Sequence, residues 1–256
     1  MELSIIIPAH NEERRLAKTL ESYARYFSNL RMKYEIIVVL NACKDRTIDI
    51  VKKYEKQYPN INHLEFEKGG KGFAVIEGFK EALKHNSKII GFVDADMATP
   101  PNAFHDLVSN LNGYDGVIAS RYLKDSLVKP KPTFSRILVS RIYNIFIRTM
   151  LFINYRDTQC GAKIFRPEAL KKTLPSLGMS QWAFDVDLLY TMRKKGFNVK
   201  ELPTIWSDKK YSQINFMKSG PTMVLAIIRL RLINSWLKGF VRVYDKFASL
   251  IAKILK

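Results

Sequence analysis

Cysteine is nearly absent from this 256-residue chain: Cys43 and Cys160 are its two cysteines, and neither has a Cys-x-x-Cys neighbour. That excludes a disulfide-stapled mini-domain and argues against structural zinc, and a reducing compartment would keep both thiols free. The four histidines, His10, His63, His85 and His105, have no metal-ligand spacing and read as structural or surface groups. No Gly-x-Ser-x-Gly elbow occurs. A nucleotide-binding P-loop is missing too, because Phe73 follows Lys71-Gly72 where that motif needs a different order. No uncharged apolar run reaches about 18 residues, so no transmembrane helix is expected. The opening Met1-Glu2-Leu3-Ser4 has no basic segment, and no secretory signal is expected. Internal repeats and low-complexity linkers are also lacking.

Acidic residues are scarce as well. Twenty-four acids face 42 Lys and Arg, for a net charge of +18 and a pI near 9.8. Such a balance implies an anionic partner: nucleic acid, an anionic membrane surface or a phosphorylated substrate. Hydrophobic residues at 47% and charged residues at 26% are otherwise globular values, and the length suits one large domain.

The first half alternates short apolar runs with helical patterns. Strands are expected at 3–7, 35–40, 63–66, 88–93 and 116–119, with helices near 12–28, 46–57, 71–84 and 101–111. Glu12 and Glu13 are expected in the first turn of the first helix, where its dipole favours acids. This alternation predicts an α/β fold with a mostly parallel sheet and right-handed crossovers. Ligands of such sheets bind outside the carboxyl ends of the strands. The stretches "PAHNE" (8–12), "NACKD" (41–45) and "DADM" (94–97) all fall at that edge.

Beyond about residue 125 the character changes. Pro130 and Pro132 make a stiff loop, and a helix over 135–153 is apolar but carries Arg136, Arg141 and Arg148. From Pro221 to Lys256 the chain reads as helical. There Ile233, Leu237, Phe240, Tyr244, Phe247, Ile251 and Ile254 line one face, and Arg231, Lys238, Arg242, Lys246, Lys253 and Lys256 the other. That is the pattern of an interfacial amphipathic helix, with Gly239 as a bend. Basic residues set on helices with large apolar faces, not on strands with stacking aromatics, argue against nucleic acid and for an anionic lipid surface.

Three stretches carry chemistry, each with two readings. Asp94 and Asp96 end an apolar strand; they either cap the helix beginning at Pro100-Pro101 or hold a hard divalent cation, Mg²⁺ or Mn²⁺. The polar clusters on the same edge favour the cation. Gly69, Gly70 and Gly72 form either a plain tight turn or a phosphate cradle, to which Lys71 adds charge. Asp185 and Asp187 lie in an apolar stretch, where a carboxylate needs a reason. Asp185 is either a helix cap or a carboxylate that acts on an acceptor.

Taken together, "SIIIPAHNEE", "KGGKGFAVIEGFKEAL", "FVDADMATPP", "GVIASRY", "DTQCGAKIF" and "WAFDVDLL" stand in the order found in inverting family 2 glycosyltransferases of GT-A fold. Over residues 3–210 the chain resembles the dolichyl-phosphate (polyprenyl-phosphate) sugar transferases. "DTQCG" and "FDVDLL" most resemble the glucosyltransferase branch. The resemblance implies transfer of a hexose, glucose first, from UDP-glucose to dolichyl or polyprenyl phosphate with inversion and a divalent metal. A mannosyl transfer from GDP-mannose, or transfer to a glycan hydroxyl, are the alternatives.

The resemblance also implies residue roles. Pro8, Ala9, Asn11 and Glu12 match the nucleotide loop, as do Asn41, Lys71, Gly72 and Asp94. Asp94 and Asp96 match the metal-binding pair. Arg121, Arg136 and Ser140 match positions around the lipid phosphate, and Gln159 the acceptor-site turn. Asp185 matches the position of the catalytic base; with Arg121 and Arg136 it makes the expected catalytic set. A phosphate acceptor is already largely deprotonated at neutral pH, so Asp185 is expected to orient and screen more than to abstract a proton. Asn41 departs from the family's usual aspartate at the end of the second strand. The implied organisation is a nucleotide half over about 1–125, an acceptor half over about 126–210, and membrane-associating helices over 211–256. The expected location is the cytoplasmic face of a membrane.

Overall fold

The computed structural model describes residues 1–130, 133–178, 183–207 and 216–254, with side chains throughout except at 135, 136, 216–219, 250 and 252–254. Its centre is a seven-stranded sheet. In chain order the first elements are β1 (Leu3–Ala9), α1 (Leu16–Ser28), β2 (Tyr34–Asn41), α2 (Thr47–Gln57), β3 (Ile61–Phe66), α3 (Lys71–Lys84), β4 (Ile89–Val93), α4 (Pro101–Ser109) and β5 (Gly116–Ser120). β1 and β2 are buried at every residue. Their runs LSIIIPA and YEIIVVLN are therefore almost continuously apolar, as a strand covered on both faces requires. Helix α1 buries Leu16, Leu20, Tyr23, Ala24 and Phe27, a helical stripe that fits one side of the sheet.

The strand order is β3-β2-β1-β4-β7-β5-β8, where β7 is Ala162–Phe165 and β8 is Val199–Pro203. All neighbouring pairs are parallel except those of β7, which runs antiparallel to both β4 and β5. That reversal has a consequence for the site. It brings the start of β7, and the turn before it, to the edge where β1, β2, β4 and β5 end. A short second sheet pairs β6 (Leu127–Val128) with β9 (Ile205–Trp206). One core, holding Leu3, Ile5 and Ile7, lies under α1, α2 and α4. The other, holding Ile6, Val39, Phe79 and Phe165, lies under α3 and under the later helices α5 (Phe134–Leu151), α6 (Pro167–Thr173) and α7 (Phe184–Lys194).

The C-terminal segment differs from one bent amphipathic helix. It forms α8 (Phe216–Ile233), a 3-10 turn over Trp236–Phe240, and α9 (Val241–Ile254). Gly239 lies within that turn, and the chain leaves α8 at Asn234-Ser235, where Ser235 Oγ accepts from Leu237 N. Helix α8 sinks Met223, Ile227 and Leu230 into the structure. Helix α9 lies on α8 through the Arg229–Asp245 ion pair and the Tyr244 hydroxyl, which donates to Leu225 O.

Large apolar side chains remain on the surface of α5 and of this segment. Phe134 is 80% and Trp236 89% exposed, joined by Ile142, Ile145, Phe240, Val243 and Phe247. Exposed Arg141, Lys238, Arg242 and Lys246 lie among them. No described helix is long and apolar enough to cross a membrane. Glu12 and Glu13 fall outside α1, which begins at Leu16, and its first turn holds no acid.

Candidate active site

The loops after β1, β2 and β4 each contain a non-glycine residue in the left-handed region: Asn11 at φ 53°, Ala42 at φ 50° and Met97 at φ 61°. Such strain persists only where the surroundings hold it, and it concentrates at functional sites. Side chains lock the first two loops together. Asn11 Oδ1 accepts from Lys44 N at 2.8 Å, Thr47 Oγ1 from Glu12 N at 2.8 Å, and Asp45 Oδ2 from Glu13 N at 3.1 Å. Pro8 and Ala9 are buried at the end of β1, below this lattice.

Asn41 is the brace between the first loop and the glycine turn. Its Nδ2 donates to Ala9 O at 2.8 Å, and its Oδ1 accepts from Gly70 N at 3.0 Å. The amide is buried and spent on the protein itself. An amide can donate and accept at once, which the aspartate usual here cannot do. Gly70, at φ 128°, then feeds α3, so Lys71 and Gly72 sit at its first turn.

Lys71 and the aspartate pair meet at the end of β4. Lys71 Nζ lies 2.6 Å from Asp94 Oδ1 and 3.8 Å from Asp185 Oδ2. Burial alone would pull the Lys71 ammonium down, but the carboxylates of Asp94 and Asp185 outweigh it and hold it above its usual value. Asp96 Oδ1 accepts from Ala98 N at 3.0 Å, and Arg15 Nη1 approaches Asp96 Oδ2 to 3.7 Å. Burial, then the neighbouring Asp94, raise the Asp96 carboxyl. Burial and the same pair also raise Glu12, against the pull of Arg15.

Gly161 is built for this contact. A Cβ there would stand 1.9 Å from Asp94 Oδ2, and Gly161 O accepts from Asp94 N at 3.0 Å. Two crowded, partly buried carboxylates suit a hard divalent cation, which would relieve their repulsion. Among the described residues no three of His, Cys, Asp and Glu gather as a metal cage. The pair would therefore be the protein's share, with water and phosphate oxygens completing the shell.

Asp185 and Asp187 lie in the first turn of α7 and face different partners. Asp187 accepts from Gly178 N at 2.8 Å and Thr191 Oγ1 at 3.0 Å, a structural role. Asp185 faces the site. Lys163 Nζ, fully buried, lies 2.5 Å from its Oδ1 and 2.6 Å from Cys160 O. Burial would raise the Asp185 carboxyl, but Lys163 and then Lys71 and Arg121 hold it below the usual carboxylate range. It is an anion bracketed by ammoniums, and so a feeble proton acceptor. Trp182, three residues earlier in the sequence, lies outside the described residues.

Arg121, at the end of β5, is pinned by Asp157. Its Nε donates to Asp157 Oδ2 at 2.7 Å and its Nη2 to Oδ1 at 2.9 Å, a bidentate pair, while its backbone N also donates to Oδ2 at 2.9 Å. Gln159 is half-buried in the following turn. Ser140, on α5, is hydrogen-bonded to the Tyr122 hydroxyl. Arg136 falls in the first turn of α5, but its side chain lies outside the described set.

One sheet edge thus gathers the loops of Pro8, Ala9, Asn11 and Glu12 with Lys71, Asp94, Asp96, Asp185 and Arg121. Sequence reasoning missed Lys163, Asp157, Gly161, Arg15 and Tyr122. A lysine inside the apolar run Ala162–Phe165 was the available signal for Lys163, since a charge there demands a buried partner.

The family model described as Glycosyl transferase family 2 matches residues 4–174. The dolichyl-phosphate β-glucosyltransferase of Dictyostelium discoideum is 32% identical over 251 residues, covering 91% of this chain and 76% of that one. The protein of the same name from Homo sapiens is 28% identical over 255 residues, covering 92% and 77%. Among solved structures, Mycobacterium tuberculosis glucosyl-3-phosphoglycerate synthase, bound to Mn²⁺, UDP and glucosyl-3-phosphoglycerate, aligns with a TM-score of 0.64 at 19% identity. That alignment covers 90% of this chain and 78% of that one. S. aureus TarS with UDP-GlcNAc aligns at a TM-score of 0.59 and 18% identity, covering 93% and 68%. These two establish the fold, a GT-A sheet with its helices. With the matched family model, the identity to the transferases and the acidic pair at the end of β4, the chain belongs to glycosyl transferase family 2.

Proposed function

We propose that this glycosyltransferase moves glucose from UDP-glucose to a dolichyl or polyprenyl phosphate, with inversion, at the cytoplasmic face of a membrane. One observation carries the reading: the charge ladder Asp94–Lys71–Asp185–Lys163 stands at the carboxyl edge of the sheet, where Arg121 directly follows β5. Its acidic end suits a cation and a departing diphosphate. Arg121 suits an anionic acceptor. The relatives named dolichyl-phosphate β-glucosyltransferase supply the sugar and the lipid.

In this reading Asn11, Glu12 and the brace from Asn41 hold the nucleotide loop. Gly72 and Lys71, at the N-terminus of α3, meet the diphosphate with backbone N–H groups and a positive charge. Asp94 and Asp96 would hold Mn²⁺ or Mg²⁺, which when bound neutralises the leaving diphosphate. Gly161 keeps the Asp94 carboxylate in place. Arg121, Arg136, Ser140 and Gln159 receive the acceptor phosphate. An acceptor phosphate with a second pKa near about 6 needs little help to attack. Asp185, held ionised by Lys163, orients Lys71 and screens the approach of two anions. Inversion of an α-linked donor gives the β product that the relatives' name states.

The exposed apolar side chains of α5, the Trp236 turn and α9, interleaved with Arg and Lys, support docking on anionic lipid. Each well-set basic side chain contributes about 1 kcal/mol there. Calorimetric titration tests the donor half: UDP-glucose should bind with Mn²⁺ present and GDP-mannose should not. Tight binding of GDP-mannose alone would contradict the sugar assignment.

A further inference from the structure

Tyr122 gathers two guanidiniums. The guanidinium carbons of Arg121 and of Arg141 each lie 5.5 Å from the centroid of its ring. Its hydroxyl is hydrogen-bonded to Ser140, the residue beside Arg141 on α5. One ring therefore ties the end of β5 to the second turn of α5. The two cations differ in compensation. Arg121 is neutralised by the buried Asp157, and the bonds of its Nε and Nη2 leave Nη1 without a hydrogen bond among the described residues. Arg141 is exposed and has no carboxylate partner among the described residues. A stacked guanidinium loses little freedom on binding and presents a planar fork of donors.

We propose that Arg141 is a further phosphate-binding residue of the acceptor site, and that Tyr122 is the positioning residue that holds it beside Arg121. The ligand is a phosphate monoester, and the inference rests on the acceptor reading given above. Two negative charges on that phosphate suit two adjacent guanidiniums, one paired with Asp157 and one with no carboxylate partner among the described residues. Ser140 then acts in two ways, as a hydroxyl near the phosphate and as the anchor that fixes the helix to the ring.

The same chemistry is offered by the phosphates of a lipid bilayer, so the test separates the two. A water-soluble short-chain prenyl phosphate serves as acceptor with no bilayer present, and sedimentation with anionic vesicles is measured in parallel. Arg141→Gln should raise KM for the soluble acceptor at least about tenfold, the worth of a charge-assisted hydrogen bond. KM for UDP-glucose should stay within about twofold of wild type. Tyr122→Leu should raise the acceptor KM similarly, and the double variant should be no worse than either single one, as residues acting as a unit require. An unchanged acceptor KM in Arg141→Gln, with vesicle sedimentation reduced or not, overturns the proposal while wild-type transfer upholds the acceptor reading. A wild-type protein that neither binds nor glycosylates the prenyl phosphate overturns both.

Discussion

The ammonium of Lys163 has no exposed surface and lies 2.5 Å from Asp185 Oδ1. Lys71 approaches the other oxygen, Oδ2, at 3.8 Å. Asp185 is thus a fixed anion between two cations. Its depressed carboxyl and its aim toward Lys71 come from one arrangement.

Removing one partner of a buried pair strands the other. Lys163→Met should lower stability by about 3–5 kcal/mol, the cost of an uncompensated buried charge. Adding Asp185→Asn to that variant should recover part of the loss. Urea denaturation followed by circular dichroism measures both, and full additivity of the two substitutions would show that the pair is not coupled.

Asp185 and the acceptor phosphate predict different acid limbs. The fold holds Asp185 ionised, so its contribution is complete above the ordinary carboxylate value and is lost only as pH falls through its depressed one. The activity lost nearer neutrality belongs to the phosphate, whose second pKa is about 6. The profile of kcat/KM for the acceptor should therefore fall below about pH 6 in wild type and in Asp185→Asn alike. Turnover of that variant should drop by less than about a hundredfold, the lower range of a lost general base. Complete loss of turnover with substrate binding intact would make Asp185 a true base.

Gly161→Ala is the sharpest single test of the aspartate geometry. A methyl placed 1.9 Å from Asp94 Oδ2 must displace that carboxylate or the turn that carries Gly161, and either change breaks the present geometry of Asp94. A displacement of about 1 Å in a positioned group costs about a hundredfold in rate, and kcat should fall by that order. The apparent Kd for Mn²⁺, read by titration calorimetry in the presence of UDP, should rise with it.

The two cysteines should separate cleanly. Burial, with Asp157 nearby, pushes the Cys160 thiol up to about 12, leaving no thiolate at neutral pH. Cys43 is half-buried in the loop after β2. Iodoacetamide at pH 8 should label Cys43 in the native protein and both residues after denaturation, as mass spectrometry would read. Native labelling of Cys160 would mean that the turn before β7 opens.

Much of the first half of the chain was legible because its strands are bare apolar runs and its helices carry clean stripes. Leu16, Leu20, Tyr23 and Phe27 announced α1, and the glycine turn announced the start of α3 at Lys71. What escaped was everything decided by long-range pairing. β7 is four residues long with a lysine in its middle, so no alternation marks it as a strand. Its antiparallel insertion between β4 and β5 delivers Asp157, Gly161 and Lys163 to the site. Asn41 was read with the nucleotide-binding residues, but only the folded chain shows its amide spent on Ala9 and Gly70. The C-terminal helices were legible as basic and apolar, while the break at Ser235 turned on a local hydroxyl-to-backbone bond.

The proposed reaction is a metal-assisted glycosyl transfer at Asp94 and Asp96 to a lipid phosphate. Its most direct test is a transfer assay in detergent with a short polyprenyl phosphate, a panel of UDP- and GDP-sugars, Mn²⁺ or Mg²⁺, and an Asp96→Ala control. A glucosyl lipid should form from UDP-glucose alone, dependent on the metal and lost in the control. Donor hydrolysis with no glycolipid from any sugar, or product undiminished in Asp96→Ala, would contradict it.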